Sequence, residues 1–186
     1  MARAKPKPLV DLGAEMTDMI SSSSRGDDLV FAILCVGFID QCLSSMLSGL
    51  LIESKWSDRI VEKDLTEKSR LLYALGIIPK SLMQNVETLA SIRNVFAHCH
   101  VKTDFSNPDI IEFSNDLHYT PKFHSQKRPP KVLRPKERFS ASAIETIALL
   151  LFYGLDLPEP NTKDEKTDSE PFLSIKEHEK LKSVSS

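Results

Sequence analysis

Residues 29–51, LVFAILCVGFIDQCLSSMLSGLL, decide the fold of this chain. The run 29–39 is entirely apolar, and the large apolar residues after it recur three and four positions apart, which is the period of a helix. Asp27 and Asp28 stand just before this stretch, where the positive end of a helix dipole favours acids. The pattern therefore predicts one long, mostly buried helix over about 27–53.

Other segments repeat the helical period, and no strong strand pattern occurs, although 110–113 can also be extended. A first helix is expected to end at the serines 21–24, and 55–64 is expected to be a loop. The further predicted helices are 66–75 (closed by Gly76), 79–98, 108–117 and 139–155. The core-facing stripe of helix 79–98 is Leu82, Val86, Leu89, Ile92 and Phe96. The fold class is thus predicted to be all-α, a helical bundle of about five to six helices.

Composition limits the class of protein. The chain has 186 residues, of which 41% are hydrophobic and 27% charged, so one domain with one sizeable core is expected. Its net charge of -2 gives no overall attraction to nucleic acid. The three cysteines are few and odd in number, so a disulfide framework is not expected. This favours a reducing, cytoplasmic location. The apolar run 29–39 is too short to span a bilayer, so no membrane association is expected.

The two ends of the chain differ from its middle. Residues 1–14 are basic and contain prolines, and we expect a short arm there. The bundle domain is expected over 15–156. Residues 157–186 are rich in charge and net acidic, which predicts a flexible, disordered tail. A weakly amphipathic segment at 172–181 leaves open the alternative of a peptide that docks on a partner.

The segment 92–98, IRNVFAH, carries the side chains best suited to chemistry. Asn94 and His98 are four residues apart and share a helix face, whereas Arg93 and His98 lie about 140° apart around the axis. A tight arginine–histidine site is easier to build where two copies of this helix meet, so the spacing predicts a homodimer. In such a site His98 can transfer a proton, Arg93 can bind phosphate oxygens and Asn94 can orient the substrate. These three residues suffice, without metal or cofactor, for cleavage of RNA by its own 2'-hydroxyl.

The same residues also allow a purely structural interpretation. Asp40 is the only charged residue between Leu29 and Met46, and a carboxylate in an apolar helix must find a partner or become neutral. Arg93 is the first candidate for this partner. A pair between Asp40 and Arg93 would fix the crossing of the two long helices, while the remaining N–H groups of the arginine could still face a ligand.

Five segments of the chain resemble, in the same order, the mannitol operon repressor family of bacterial proteins. They are RGDDLVFAILCVGFIDQCLSSML (25–47), KSRLLYALGIIP (68–79), IRNVFAH (92–98), DFSNPDIIEFSNDL (104–117) and PKERFSASAIETIALLLFYGL (135–155). That family looks like a branch of the HEPN superfamily of helical domains, whose hallmark is similar to Arg93, Asn94 and His98. The resemblance implies a transcriptional repressor that lacks an evident helix-turn-helix and acts through a regulatory protein partner. The alternative that it implies is a metal-independent, toxin-like HEPN endoribonuclease in which those three residues are catalytic.

A basic segment, residues 119–138, is the strongest indication of nucleic-acid binding. Its seven cations are opposed only by Glu137, and mobile cations of this kind can follow a phosphate backbone of RNA or DNA. A solvated loop balanced by the acidic tail is the alternative. The candidate nucleic-acid-binding residues are Lys122, Lys127, Arg128, Lys131 and Arg134. No metal site is expected, because His98 and the adjacent Cys99 and His100 point in different directions around a helix.

Overall fold

The computed structural model describes residues 6–23, 27–51, 54–99, 103–118 and 133–157. Within these ranges the chain is all-helical, with seven helices and no strand, which confirms the predicted fold class. The helices are α1 (Leu9–Ser23), α2 (Asp28–Leu50), α3 (Lys55–Val61), α4 (Leu65–Ala74), α5 (Lys80–His98), α6 (Pro108–Asn115) and α7 (Pro135–Leu155). The tail predicted for 157–186 lies, except for Leu157, outside the described residues.

Local sequence explains where most of these helices begin. The side chain of Asp27 accepts a hydrogen bond from the backbone N–H of Leu29, which caps α2. Asp64 and Asn107 cap α4 and α6 in the same way. Gly76, with a φ of 72°, terminates the turn after α4 in a conformation that glycine adopts without strain. The starts of these helices therefore agree with the predictions to within about one residue.

The structure differs from the sequence-based boundaries at three places. Helix α1 begins at Leu9, inside the stretch predicted to be an arm, because Leu12 is fully buried in the core. The predicted loop 55–64 contains α3, where Ser54 and Ser57 cap each other reciprocally. Helix α7 begins at Pro135 and not at residue 139, because proline is well suited to a first helical turn.

The core forms around α2, which packs against α1, α4, α5 and α7. Aromatic rings join the ends of several elements: Phe31 and Phe139 have centroids 5.8 Å apart, and Phe105 lies 5.3 Å from Phe139 and 5.0 Å from Phe96. This cluster fixes the C-terminal end of α5 close to the N-terminal ends of α2 and α7. The segment that carries Arg93 and His98 is therefore anchored by aromatic packing.

By length and composition, α2 and α7 are both apolar enough to cross a membrane. The apolar stretch of α2 is longer than the run 29–39 alone indicated, because Asp40 does not end the helix. In its most apolar window, 56% of α2 is buried inside the bundle, as is 39% of the corresponding window of α7. Core helices of water-soluble proteins pass the same test, so these two helices are weak evidence for a membrane span.

Candidate functional site

The motif at the end of α5 presents two of its three polar side chains to solvent. Ile92 and Phe96 are buried and hold this turn of the helix against the core. Asn94 and His98 are exposed and lie one turn apart on the outward face, as their spacing requires. His98 is the last residue of α5, and the backbone N–H of Cys99 closes the helix on the carbonyl of Val95. Both side chains are accessible to a ligand.

Arg93 is half-buried and holds a different position from its neighbours. Its Nε atom is buried and has no hydrogen-bond partner. A guanidinium N–H without a partner costs free energy, on the order of 1–3 kcal/mol for a buried polar group. Within the described ranges no acid forms an ion pair with Arg93, so its guanidinium is not engaged in a structural salt bridge.

The expected pair between Asp40 and Arg93 is wrong, because Asp40 pairs with Lys68. The Lys68 Nζ donates to Asp40 Oδ1 at 2.7 Å and to Ser44 Oγ at 2.9 Å. Asp40 and Ser44 are one turn apart on α2, and both accept hydrogen bonds from the ammonium of Lys68, which lies on α4. The Lys68 side chain is only 2% exposed, whereas that of Asp40 is 37% exposed.

The sequence did carry a signal for the correct partner. Four residues of α4 are buried at helical spacing: Leu65, Lys68, Ser69 and Leu72. A lysine within such a core-facing stripe is unusual because its charge must be compensated when it is buried. Lys68 was therefore a stronger candidate for Asp40 than Arg93.

Most of the basic segment falls outside the described residues, including Lys122, Lys127, Arg128 and Lys131. Arg134 is described and its side chain is 78% exposed. Its backbone N–H donates to Glu137 Oε2 at 2.8 Å, and its guanidinium lies 3.3 Å from Glu137 Oε1. Lys136 pairs with Asp28 at 2.6 Å, which ties the start of α7 to the start of α2. Both cations are thus engaged with acids at the surface.

An open groove, which sequence reasoning missed, lies beside the first turns of α7. Its volume is about 850 Å³, and we call it the α7 groove. Its apolar lining is formed by Phe31, Phe105, Ile111, Ala141 and Ile144. The groove is built from four separate stretches of the chain, and no single sequence pattern indicates it.

Two of the three cysteines, Cys35 and Cys42, are buried. Burial raises the pKa of Cys35 and of Cys42 to about 12, so both thiols stay protonated at neutral pH. Cys99 is exposed. Across the described ranges, no group of three histidine, cysteine, aspartate or glutamate side chains is placed to hold a metal ion.

The middle of the chain is similar to a known protein family. Residues 62–142 match the family model described as mannitol repressor. The matched region contains α4, α5 and α6, and with them Lys68 and the Arg93–His98 motif, but it excludes Asp40. No curated protein and no solved structure matches the chain.

Proposed function

We propose that this chain, a mannitol repressor family protein over residues 62–142, is a dimeric transcriptional regulator that acts by binding a partner protein. The family match supports the regulatory role, and it agrees with the resemblance that the five sequence segments carry. We further propose that the chain forms a homodimer, binds a protein partner and is located in the cytoplasm. The observation that carries the homodimer is an uncharged outer face on α2.

That face, the α2 stripe, consists of Val30, Ile33, Leu34 and Gly37. The three large side chains are between 43% and 50% exposed, and Gly37 is exposed as well. The outward face of a helix in a water-soluble protein is normally polar or charged, and contiguous apolar surface indicates a surface that is covered by another molecule. Gln41, one turn after Gly37, is also exposed and carries no charge. The α2 stripe is therefore suited to contact with apolar surface.

A second copy of the chain fits this stripe well. In a two-fold dimer the same residues meet each other, so an uncharged face avoids the repulsion between like charges that a charged face would bring. Gly37 has no heavy atom within 4 Å of the position where a Cβ would stand, so its surface is open. A glycine at a helix crossing permits close approach of the two backbones. We place the two-fold axis near Gly37.

The dimer is tested by the mass of the full-length chain in solution. We expect a dimer for the unchanged protein and a monomer for Leu34→Asp, because a buried charge without a partner opposes association. Val10→Asp is the matched control: Val10 is 71% exposed on α1, outside the α2 stripe, and this variant should remain dimeric. A monomeric unchanged protein at high concentration would refute the proposal.

The regulatory role is tested with a reporter gene under a mannitol-inducible promoter. We expect lower reporter expression when the chain is present, loss of this repression in Leu34→Asp and retention in Val10→Asp. Purified protein alone should not retard the promoter DNA in a gel, because it acts through a partner. Sequence-specific retardation by the pure protein would instead support direct DNA binding through residues 119–138.

The unpaired state of Arg93 favours a second candidate, a metal-independent HEPN-type endoribonuclease. Arg93 forms no ion pair in the described ranges, and Asn94 and His98 are exposed on the same helix. Labelled RNA incubated with the protein and excess chelator should then yield 2',3'-cyclic phosphate ends, and His98→Ala should abolish them. His98 is exposed, so this variant should keep its fold, and an unchanged cleavage rate would exclude the motif as the catalyst.

A further inference from the structure

The short helix α3 carries the single tryptophan of the chain, and this side chain faces solvent. Trp56 is 70% exposed. Tryptophan is on average one of the well-buried side chains of folded proteins. No side chain of α3 is fully buried, and the partly buried Ile60 and Val61 attach the helix to the core. Packing of the bundle therefore does not explain why a tryptophan stands at position 56.

Local contacts hold this tryptophan in a defined place. Ser54 and Ser57 cap the first turn of α3 reciprocally. The guanidinium carbon of Arg59 lies 4.8 Å from the centre of the Trp56 ring, which is a cation–π contact. A side chain that is already ordered loses little conformational entropy when a partner binds. Tryptophan and arginine are also enriched among the residues that dominate binding at protein interfaces. The pair is thus pre-organised for contact with another molecule.

Two exposed cations border Trp56 on one side of α3. Lys55 and Arg59 are four residues apart, so they form one ridge beside the ring. Neither cation forms an ion pair within the described ranges, although the exposed Asp58 and Glu62 lie on the side of the ridge away from Trp56. We call Lys55, Trp56 and Arg59 the Trp56 patch. It complements an apolar group that stands next to a carboxylate.

Local charge favours a protein segment as the occupant of this patch. Residues 54–67 contain four acids and three bases, so their net charge is -1. Proteins bind nucleic acids and anionic membrane surfaces through clustered positive charge, and single strands also need several aromatic rings in series. A second copy of the chain would bring the same two cations against Lys55 and Arg59 near a two-fold axis. A protein segment with one carboxylate and one apolar side chain meets neither obstacle.

We propose that the Trp56 patch is the docking surface for the protein partner of the proposed function. A large apolar side chain of the partner packs on the exposed indole of Trp56, and an aspartate or glutamate next to it pairs with Lys55 and Arg59. The proposal rests on the proposed function only for the existence of this partner, because the dimer uses the α2 stripe. The family match over residues 62–142 does not include the patch.

The test is selection of short random peptides from a display library on the immobilised full-length protein. We expect enriched peptides in which a large apolar residue stands close to an aspartate or glutamate. Synthetic copies without tryptophan should shift the fluorescence of Trp56 to shorter wavelength, because this indole is the single one in the chain and becomes covered. No enrichment, enriched peptides without acids, or binding that leaves the emission unchanged would each overturn the proposal.

Variants of the patch identify the site of docking. Trp56→Ala should weaken binding of the labelled peptides by about thirtyfold, which is the loss typical of an interface hot spot. Tyr73→Ala is the matched control, because Tyr73 is an aromatic residue 42% exposed on α4, and affinity should not change. Arg59→Glu should also weaken binding, whereas Lys80→Glu, the same change of charge at an exposed residue of α5, should not. Far-UV circular dichroism checks the fold of each variant, and equal affinity in folded Trp56→Ala would overturn the proposal.

Other occupants and the regulatory role are separated by two further measurements. Single-stranded RNA and vesicles of phosphatidylcholine with phosphatidylglycerol should not shift the emission of Trp56 at physiological salt, and a shift caused by either would overturn the choice of a protein segment. In the reporter assay, Trp56→Ala should lose repression while its mass stays that of a dimer, and full repression by this variant would also overturn the proposal. If the unchanged chain does not repress, the proposed function fails, whereas the peptide result is unaffected.

Discussion

Removal of the Asp40 carboxylate should destabilise the bundle more than removal of the Arg93 guanidinium. In Asp40→Ala the Lys68 ammonium stays buried, with only Ser44 Oγ as an acceptor. Breaking a buried ion pair by deleting one partner costs about 3–5 kcal/mol. Asp40 is 37% exposed, so water already reaches the pair, and Ser44 still accepts a hydrogen bond. We therefore expect a loss of about 2–3 kcal/mol, somewhat below that range.

The measurement is urea unfolding followed by far-UV circular dichroism, with the stability change taken from the shift of the midpoint at constant slope. For a chain of this size, 1 kcal/mol corresponds to a shift of about 2–4 °C in Tm, which provides a second readout. Arg93→Ala is the comparison variant. Because Arg93 forms no ion pair in the described ranges, it should lose less than about 1 kcal/mol, the range of ordinary single substitutions.

Double-mutant cycles separate the two possible partners. Asp40→Ala and Lys68→Met should couple by more than about 1 kcal/mol, because they remove the same contact. Asp40→Ala and Arg93→Ala should be additive to within about 0.5 kcal/mol. Replacement of both Asp40 and Lys68 by apolar residues should restore much of the lost stability, because neither charge is then buried alone. Strong coupling of Asp40 to Arg93, with none to Lys68, would refute the assignment of the pair.

Four further predictions follow from burial and packing. Burial raises the pKa of Cys35 and Cys42 to about 12. In the folded protein at about pH 8, only Cys99 should therefore react with a thiol reagent, whereas all three cysteines should react after unfolding. The thiols of the unfolded chain ionise near their ordinary value of 9.0, so these two residues should reduce stability as the pH rises from 9.0 towards 12, an effect absent in Cys35→Ala/Cys42→Ala. Gly37→Ala should stabilise the monomeric protein in urea by about 0.5–1 kcal/mol, since an added Cβ meets nothing within 4 Å; a loss of stability would show that the space is filled. Gly154→Ala should lower Tm because its Cβ would overlap Leu9 and approach Met46 to 3.2 Å, whereas Gly13→Ala, whose nearest contact is Leu151 at 4.0 Å, should not.

The helices of this protein were predictable because local signals agree with the packing. Asp27, Gly76 and Pro108 mark helix ends by their own backbone and side-chain chemistry, so α2, α4 and α6 are found close to their expected limits. The helix α3 was missed because its seven residues bury no side chain and give no apolar period. The early start of α1 was missed because the prolines near the chain start suggested an arm, whereas burial of Leu12 depends on α7 and α2.

The candidate site was less predictable, because it depends on which helices are neighbours. Asp40 was correctly marked as a charge that needs a partner, but its partner is set by the packing of α2 on α4 and not by any spacing along the chain. The α7 groove likewise combines residues from α2, the turn before α6, α6 itself and α7. The sequence alone therefore supplies the candidate site residues, but it does not show which of them lie in contact in the folded chain.

The identity of the Asp40 partner changes the interpretation of the Arg93 motif. An arginine that neutralises a buried acid would be retained for stability, and its exposed neighbours would then need no function. Lys68 already neutralises Asp40, so stability of the bundle gives no reason for the charge of Arg93, whose Nε is buried without a hydrogen bond. Keeping a guanidinium in that position costs free energy, and a phosphate or a carboxylate that binds it would recover this cost. The pairing of Lys68 therefore strengthens the case that Arg93, Asn94 and His98 recognise an anionic ligand, whether on a partner protein or on RNA.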